Sequence, residues 1–421
     1  MVSAEALGSA QLGEPGQPLV LTNGIALVGS ELEHREFGML RIVAGQIESF
    51  GPRGGATRTH SDDLILDLEG AFVVPGLIDS HVHFDLAGHP AAYEHYDASV
   101  LLRSLTCFHN GLAALRNGIT SVRDLGSADH TVLDYASLVR RDLLIGPRVI
   151  AAGRPITVSD GHFSQYARVA NGPSDVRDAV REQIAAGARV IKLMATGGIS
   201  TSGNPESIQL TPEELAAAVT EAHQAGLQVA AHAHTHAGVV AALSAGVDSI
   251  EHAAFGDDAT FEVMASHHAT LVPTVSALNN VLPGRGIPAE TVRKSLEARE
   301  PYLQSVRKAV SAGVHIAAGT DAGTALNPIG GLVDELAMYC DAGMTALQAL
   351  ATATTGASGL IGGRAGIIEP GRPADLMVVA GDPSADVTAL RRPLHVVRRG
   401  RVIDLAWADR TMSELSRALV G

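Results

Sequence analysis

Five times in the middle of the chain, an apolar helical stretch ends in a small residue and a glycine, or an equivalent turn, and runs into a short β-branched segment: ALRNGITSVRDLG, QIAAGARVIKLMATGG, AHQAGLQVAAHAH, ALSAGVDSIEHA and AVSAGVHIAAGTDAG. No other feature constrains the fold as tightly. Glycine stops each helix, and a near-continuous apolar strand needs cover on both faces, as parallel strands do in an α/β sheet. Three further strands, in VVPGLIDSHVHF, PRVIAAGRPI and ATLVPTVS, bring the series to eight, with starts near residues 74, 119, 148, 188, 227, 247, 270 and 314. Eight such units close into a (β/α)8 TIM barrel. An open doubly wound sheet is the alternative, but no GxGxxG follows a strand.

The texture differs at both ends. LVLTNGIALVG and LRIVAGQIESFG within residues 18–72, and GIIEPGRPADLMVVAGD and LHVVRRGRVI within residues 366–404, alternate over short spans between Gly, Pro and Asp turns. That pattern predicts antiparallel β structure. The expected organisation is α/β: residues 1–72 and 366–421, tail included, contribute a small β-sandwich, and residues 73–365 form the barrel. A length of 421 residues accommodates one such barrel with an appendage, and 46% apolar against 18% charged residues suits a well-buried globular chain. In QLTPEELAAAV, Thr211 is the expected helix cap, with Pro212 in the first turn and Glu214 completing a capping box. The preceding loop, TGGISTSGNPES, is either a substrate lid or a plain surface loop.

Charge excludes some partners. Lys and Arg number 31 against 45 Asp and Glu, a formal charge of −14, so nothing offers a basic footprint for nucleic acid or an anionic membrane. Cys107 and Cys340 are too few for a disulfide framework and show no CxxC spacing. The first twenty residues lack a charged start followed by an apolar stretch, and no later run approaches a membrane span. The expectation is a cytoplasmic protein in a reducing compartment.

Catalytic groups of such barrels stand at the C-terminal ends of the strands. Strand one ends in His81 and His83, on one side because side chains alternate; strand four carries Lys192, strand five His232 and His234, strand six His252 and strand eight Asp321. With 18 histidines in the chain, one at a strand end is an ordinary hydrogen-bonded residue. Lys192 aside, four strands ending in nitrogen and oxygen ligands at one mouth point instead to metal binding. Lys192, within ARVIKLMATGG, then acquires a purpose, because a buried ammonium without a partner costs several kcal/mol. A neutral amine in an apolar strand can take up CO2 as a carbamate, an anion able to bridge two divalent ions about 3.5–4 Å apart. A salt bridge inside the barrel is the alternative.

These residues carry a family resemblance. PGLIDSHVHF, TSVRDLG, IKLMATGG, VAAHAHT, DSIEHA and GTDAG resemble the metal-dependent amidohydrolase superfamily, and within it the branch of Xaa-Pro dipeptidases (prolidases), Xaa-Arg dipeptidases, ochratoxin-hydrolysing amidases and some phenylurea and thiocarbamate hydrolases. The resemblance covers nearly all of residues 18–405. It implies two divalent ions, zinc being usual: one held by His81, His83 and Asp321, the other by a strand-five histidine and His252, with carboxylated Lys192 and a hydroxide bridging both. In the branch the strand-five ligand lies about twenty positions before the strand-six ligand; His232 has that spacing to His252, leaving His234 to meet substrate. The implied reaction is attack of the bridging hydroxide on an amide carbonyl, with Asp321 as ligand and general base that passes the proton to the leaving amine. His162, in ITVSDGHFSQY, resembles the branch's histidine that hydrogen-bonds the carbonyl oxygen, although SDGH stands where the family often shows two glycines before it. Asp124 fits the family pattern too, with a structural hydrogen bond as its expected role.

The implied substrate is a small molecule with an amide bond, such as a dipeptide or N-acyl amino acid; a carbamate, urea or ochratoxin-like amide is the alternative. Arg154, Tyr166 and Arg168, after strand three, are candidates for a substrate carboxylate or surface residues. Deaminases on this barrel typically lack the strand-four lysine and carry a glutamate after the strand-five histidine; HAHTHAG has none. A scaffold that has lost its chemistry would usually lack metal ligands, and none is missing. Members of the branch often form homo-oligomers, octamers included.

Overall fold

The computed structural model describes residues 11–12, 16–52, 59–89, 98–199, 204–279, 281, 286 and 289–420. Eight parallel strands occupy the expected places: Leu77–Val82, Ile119–Asp124, Arg148–Ala151, Val190–Met194, Gln228–Ala233, Ser249–His252, Thr270–Val272 and His315–Ile316. Below they are barrel strands one to eight. Strands one to three pair in order, as do strands four to eight. Between the two groups, the Arg189 amide donates to the Ala151 carbonyl at 2.9 Å, and the short segment Ile156–Thr157 pairs with strand four. Strand eight meets strand one through Ser80 N to Ala318 O at 2.8 Å and Asp321 N to His81 O at 2.7 Å. The ring is a (β/α)8 barrel.

The glycine-ended helices build its outer layer. In Pro173–Ala186 the buried positions are Val176, Ala179, Val180 and Gln183, one face at helical spacing, and Gly187 stops the helix at a φ of 102°. The capping box of the next helix, Pro212–Gln224, is formed: Thr211 Oγ1 accepts from Glu214 N at 3.2 Å, and the Glu214 carboxylate accepts from Thr211 N at 2.8 Å. Residues 200–203 of the loop before it, which the sequence offered as a lid, lie outside the described residues, as do residues 1–10 and 13–15 of the N-terminal segment.

Both ends of the chain share one nine-stranded sheet. Its order runs Gln11–Leu12, Arg401–Ile403, His395–Arg398, Leu376–Val379, Phe72–Pro75, Leu19–Val28, Glu33–Val43 and Gln46–Gly51, with Leu64–Asp67 beside Leu19–Val28. Most pairs are antiparallel, as expected; Phe72–Pro75 and Leu64–Asp67 run parallel to Leu19–Val28. One apolar core joins the two ends, with Leu19, Phe37, Leu40 and Val73 packed with Leu376, Val378 and Val397.

One strand differs from expectation. The apolar run that sequence reading started near 74 is two strands, Phe72–Pro75 in the terminal sheet and Leu77–Val82 in the barrel. Gly76 makes the passage possible, since a Cβ there would lie 2.2 Å from Thr120 Oγ1. Its amide donates to the Asp375 carbonyl at 2.8 Å. The buried Asp375 carboxylate in turn accepts from Arg398 at 2.9 Å and the Arg399 amide at 2.8 Å, with Arg148 of strand three at 3.4 Å. Burial opposes its ionisation, and Arg398 and Arg148 overcome this, holding its pKa below the ordinary carboxylate value. An ion cluster thus fastens barrel to sheet.

No helix among the described residues is long and apolar enough to cross a membrane.

Gly76→Ala should destabilise the protein by about 1–3 kcal/mol through overpacking against Thr120, and Gly76→Ala/Thr120→Ala should recover part of that loss. Denaturation midpoints of the two variants decide it; equal midpoints would show that the crowding at Thr120 is not what selects glycine.

Candidate metal centre and active site

At the C-terminal mouth of the barrel the imidazoles are fixed by bonds to their outer nitrogens. His81 Nδ1 donates to the Glu251 carboxylate at 2.8 Å, and His83 Nδ1 donates to the Gly126 carbonyl at 2.9 Å. Both Nε2 atoms then face Asp321 Oδ1, at 3.4 and 3.1 Å. These three residues each offer one ligand atom, all within 4.8 Å of one another. Holding one nitrogen by hydrogen bond while the other faces inward is the usual way a protein orients a metal-ligating histidine.

The second group stands on strands five and six. His252 Nδ1 is 2.7 Å from Thr274 Oγ1, and His232 Nε2 donates to the Gly197 carbonyl at 3.1 Å, so each ring keeps its other nitrogen for the cavity. Their ring centroids are 4.6 Å apart. Alternation along strand six would send Glu251 and His252 to opposite faces. His252 escapes this through a left-handed backbone, φ 74°, followed by Ala253 at 47°. Asp321 and Thr274 share that conformation, at 56° and 55°. Non-glycine residues rarely adopt it, and its clustering here marks a site where backbone strain is held by surrounding structure.

Lys192 lies in strand four with 2% of its surface exposed, and its Nζ has no hydrogen-bond partner. Burial pulls its pKa down to about 8. The internal salt bridge considered from sequence is not formed: Glu251 is taken by Arg123 and His81, and no carboxylate among the described residues pairs with the lysine. An amine whose pKa burial draws down from the usual lysine value, without a hydrogen-bond partner, in a cavity of metal-ligand side chains, fits the carbamate that the family resemblance implies.

Sequence reasoning gave no role to the group that supports this cluster. Arg123 is wholly buried, donating to Ser80 O at 2.7 Å, Ser249 Oγ at 2.9 Å and Glu251 Oε1 at 2.8 Å. Burial opposes ionisation of Glu251, but Arg123 and His81 overcome it and hold the pKa at about 2. The signal was present, because a charge inside an apolar strand is the clue that singled out Lys192, and both TSVRDLG and DSIEHA contain one.

The structure brings His162 and His234 to the same cavity. His162 reaches it from the loop after strand three, its ring centroid 4.3 Å from that of His232 and its amide bonded to Gln209 at 3.0 Å. His234 stacks on His252 at 5.1 Å, and its Nδ1 is buried without a hydrogen-bond partner. Asp124 accepts from the amides of Phe84 at 2.7 Å and Gly126 at 3.2 Å, a structural role. Arg154, Tyr166 and Arg168 do not line the cavity, although the Tyr166 ring packs edge-on against His83 and Phe163, which do. Arg154 donates to the Ala167 carbonyl, Tyr166 bonds Asp85 and the Gly126 carbonyl, and Arg168 pairs with Glu182 and Asp175 at 2.9 Å. Their polar groups tie the segment after strand three to the loops after strands one and two and to the helix Pro173–Ala186.

The cavity measures about 180 Å³. Histidines, Lys192 and Asp321 line it together with an apolar set, Phe163, Met194, Ile199, Leu278, Val281 and Tyr302. Asp321 has 17% of its side chain exposed, against 1% for His81 and 4% for His83, so it is the one of the three open to an incoming molecule.

Comparison with known proteins agrees with this geometry. Residues 72–403 match the amidohydrolase family. Ochratoxinase of Aspergillus niger is 32% identical over 377 residues, covering 78% of this chain and 75% of that protein. Among solved structures, a Xaa-Pro dipeptidase with bound methionine in its active site superimposes with a TM-score of 0.84 at 28% identity, covering 91% of this chain and 99% of that one. The A. niger ochratoxinase structure gives 0.80 at 27% identity, covering 92% and 95%.

Arg123→Met should cost about 3–5 kcal/mol of stability by leaving Glu251 charged and buried, whereas Ser249→Ala, which removes one neutral partner, should cost about 1 kcal/mol. Chemical denaturation separates them; a mild effect of the arginine substitution would mean that Glu251 does not depend on it.

Proposed function

The chain belongs to the amidohydrolase family and is a metal-dependent hydrolase of C–N bonds, and from that premise we propose a binuclear enzyme that cleaves an amide or peptide bond of a small molecule such as a dipeptide or N-acyl amino acid. The observation that carries the binuclear reading is the gathering of His81, His83 and Asp321 around one point in a cavity that also holds the unpartnered Lys192 Nζ. In this reading His81, His83 and Asp321 hold one ion, His232 and His252 the other, and Lys192, as its CO2-derived carbamate, serves both; zinc is the proposed metal. Two such ions, when bound, supply a nucleophilic hydroxide near neutrality and polarise a carbonyl.

The chain's own side chains do the rest. Asp321, open to the cavity, accepts a proton at its carboxylate and returns it to the departing nitrogen. His162, facing the cavity from outside the ligand set, donates a hydrogen bond to the substrate carbonyl oxygen. His234 turns its free Nδ1 to the substrate, which completes the bond that nitrogen lacks. The apolar wall holds a substituent of the substrate and displaces water from the reacting bond.

That wall also favours a second substrate class. Leu278, Val281, Ile199 and Phe163 suit the acyl or aryl part of a carbamate, urea or ochratoxin-like amide. A homo-oligomer, up to an octamer, belongs to the proposal, and analytical ultracentrifugation measures it.

Amine release from Xaa-Pro and Xaa-Arg dipeptides, N-acyl amino acids, aromatic amides and aryl ureas should be detected for at least one class with zinc-loaded protein prepared in bicarbonate, and should vanish on chelation. Release that survives chelation would overturn the metal reading. Lys192→Ala should lower both metal content and rate, with partial recovery from small carboxylic acids. His232→Ala should deplete bound metal as His252→Ala does, while His234→Ala should retain metal and slow turnover. Loss of metal from the His234 variant alone would reverse the assignment on strand five.

A further inference from the structure

A second cleft lies at the opposite end of the barrel from the mouth, where strand three begins and the terminal sheet packs against it. Its volume is about 600 Å³, and among the described residues its charged lining is Arg148, Arg364, Arg399 and Arg401 against one carboxylate, Asp142. A smaller cleft of about 160 Å³ shares Asp142, Arg399 and Arg401 and adds Arg398. Behind the arginines stands Asp375, already bound to Arg398 and the Arg399 amide. Among the described residues, five guanidinium groups thus meet two carboxylates, an excess of three positive charges on a chain whose formal charge is −14.

The available partners leave donors in hand. Asp142 takes Arg399 at 2.8 Å and Arg401 only at 3.7 Å. Arg401 also donates to Gln11 at 3.0 Å, and Arg364 donates to the Gly371 carbonyl at 3.2 Å, a neutral acceptor. Arg148 reaches its one carboxylate partner among the described residues, Asp375, only at 3.4 Å. Converging cations repel one another, and guanidinium forks match tetrahedral oxyanions in charge and geometry. We propose that this cleft is a binding site for a phosphate group, separate from the metal centre, joining Arg148 of the barrel to Arg364, Arg399 and Arg401 of the segments that pack beneath it.

The test is equilibrium dialysis of labelled inorganic phosphate against the metal-loaded whole protein, with ionic strength held constant by chloride. A saturable site is expected. Arg364→Glu, at an exposed position, should weaken it by about tenfold or more, because a cation becomes a carboxylate facing the anion. Asp142→Asn, also exposed, should tighten it by freeing Arg399 and Arg401. Hydrolysis at the mouth should be unchanged in both variants, which distinguishes this site from phosphate held at the metals. Competition by glycerol 3-phosphate would support a site for the phosphate of a larger ester, and its failure to compete would support inorganic phosphate as occupant. Absence of saturable uptake, uptake indifferent to Arg364→Glu, or weaker binding in Asp142→Asn would each overturn the proposal.

Discussion

A guanidinium sealed inside the barrel is the contact on which the mouth depends. Arg123 spans strands one, two and six, through Ser80, its own strand, and Ser249 with Glu251. Its charge lets Glu251 remain ionised in a place where burial alone would neutralise it. Glu251 in turn sets the orientation of His81 by accepting from Nδ1. The chain of dependence runs from a buried cation to a carboxylate to an imidazole and only then to Asp321. A pair of this kind gives little net stability compared with an apolar core, so its value lies in the single arrangement that it enforces.

Backbone conformation extends the same enforcement. His252, Thr274 and Asp321 all sit at left-handed φ values, and Thr274 is itself the partner of His252. Glu335 pins the segment after Thr274, accepting from the amides of Val275 and Ser276 at 2.8 and 2.7 Å. Ser276 and Asn327 both donate to the Thr320 carbonyl, beside Asp321. Side chains at the ends of strands six and eight are therefore positioned by strained turns that a dense set of buried hydrogen bonds keeps in place.

Much of this was legible in the sequence because the barrel punctuates itself. Each glycine after a helix announced the next strand, and the five strands so announced stand where those phrases put them. Metal-ligand residue types at strand ends could be read because the fold assigns chemistry to one end of every strand. Gly76 was not legible as a boundary, since FVVPGLID is apolar on both sides and the crowding by Thr120 comes from a residue far along the chain. Arg123 and Glu251 were overlooked for a related reason: they lie on different strands far apart in sequence, and only the closed ring makes them partners. For Arg154, Tyr166 and Arg168 the sequence left a substrate contact and a surface position equally open, because proximity in sequence to a mouth loop does not tell which way a polar group will find its hydrogen bonds.

The pairing of Phe72–Pro75 with Leu376–Val379 reaches beyond architecture into the order of synthesis. The strand that leads into the barrel leaves the ribosome early, while one of its sheet neighbours is translated only after the whole barrel. Until then the edge of Phe72–Pro75 that faces this neighbour has no native partner, and exposed strand edges invite pairing with other chains. The long sequence separation also makes closure of the terminal sheet a slow contact to form. A nascent chain of this protein therefore has its first barrel strand in hand long before Leu376–Val379, the anchor that fixes its entry.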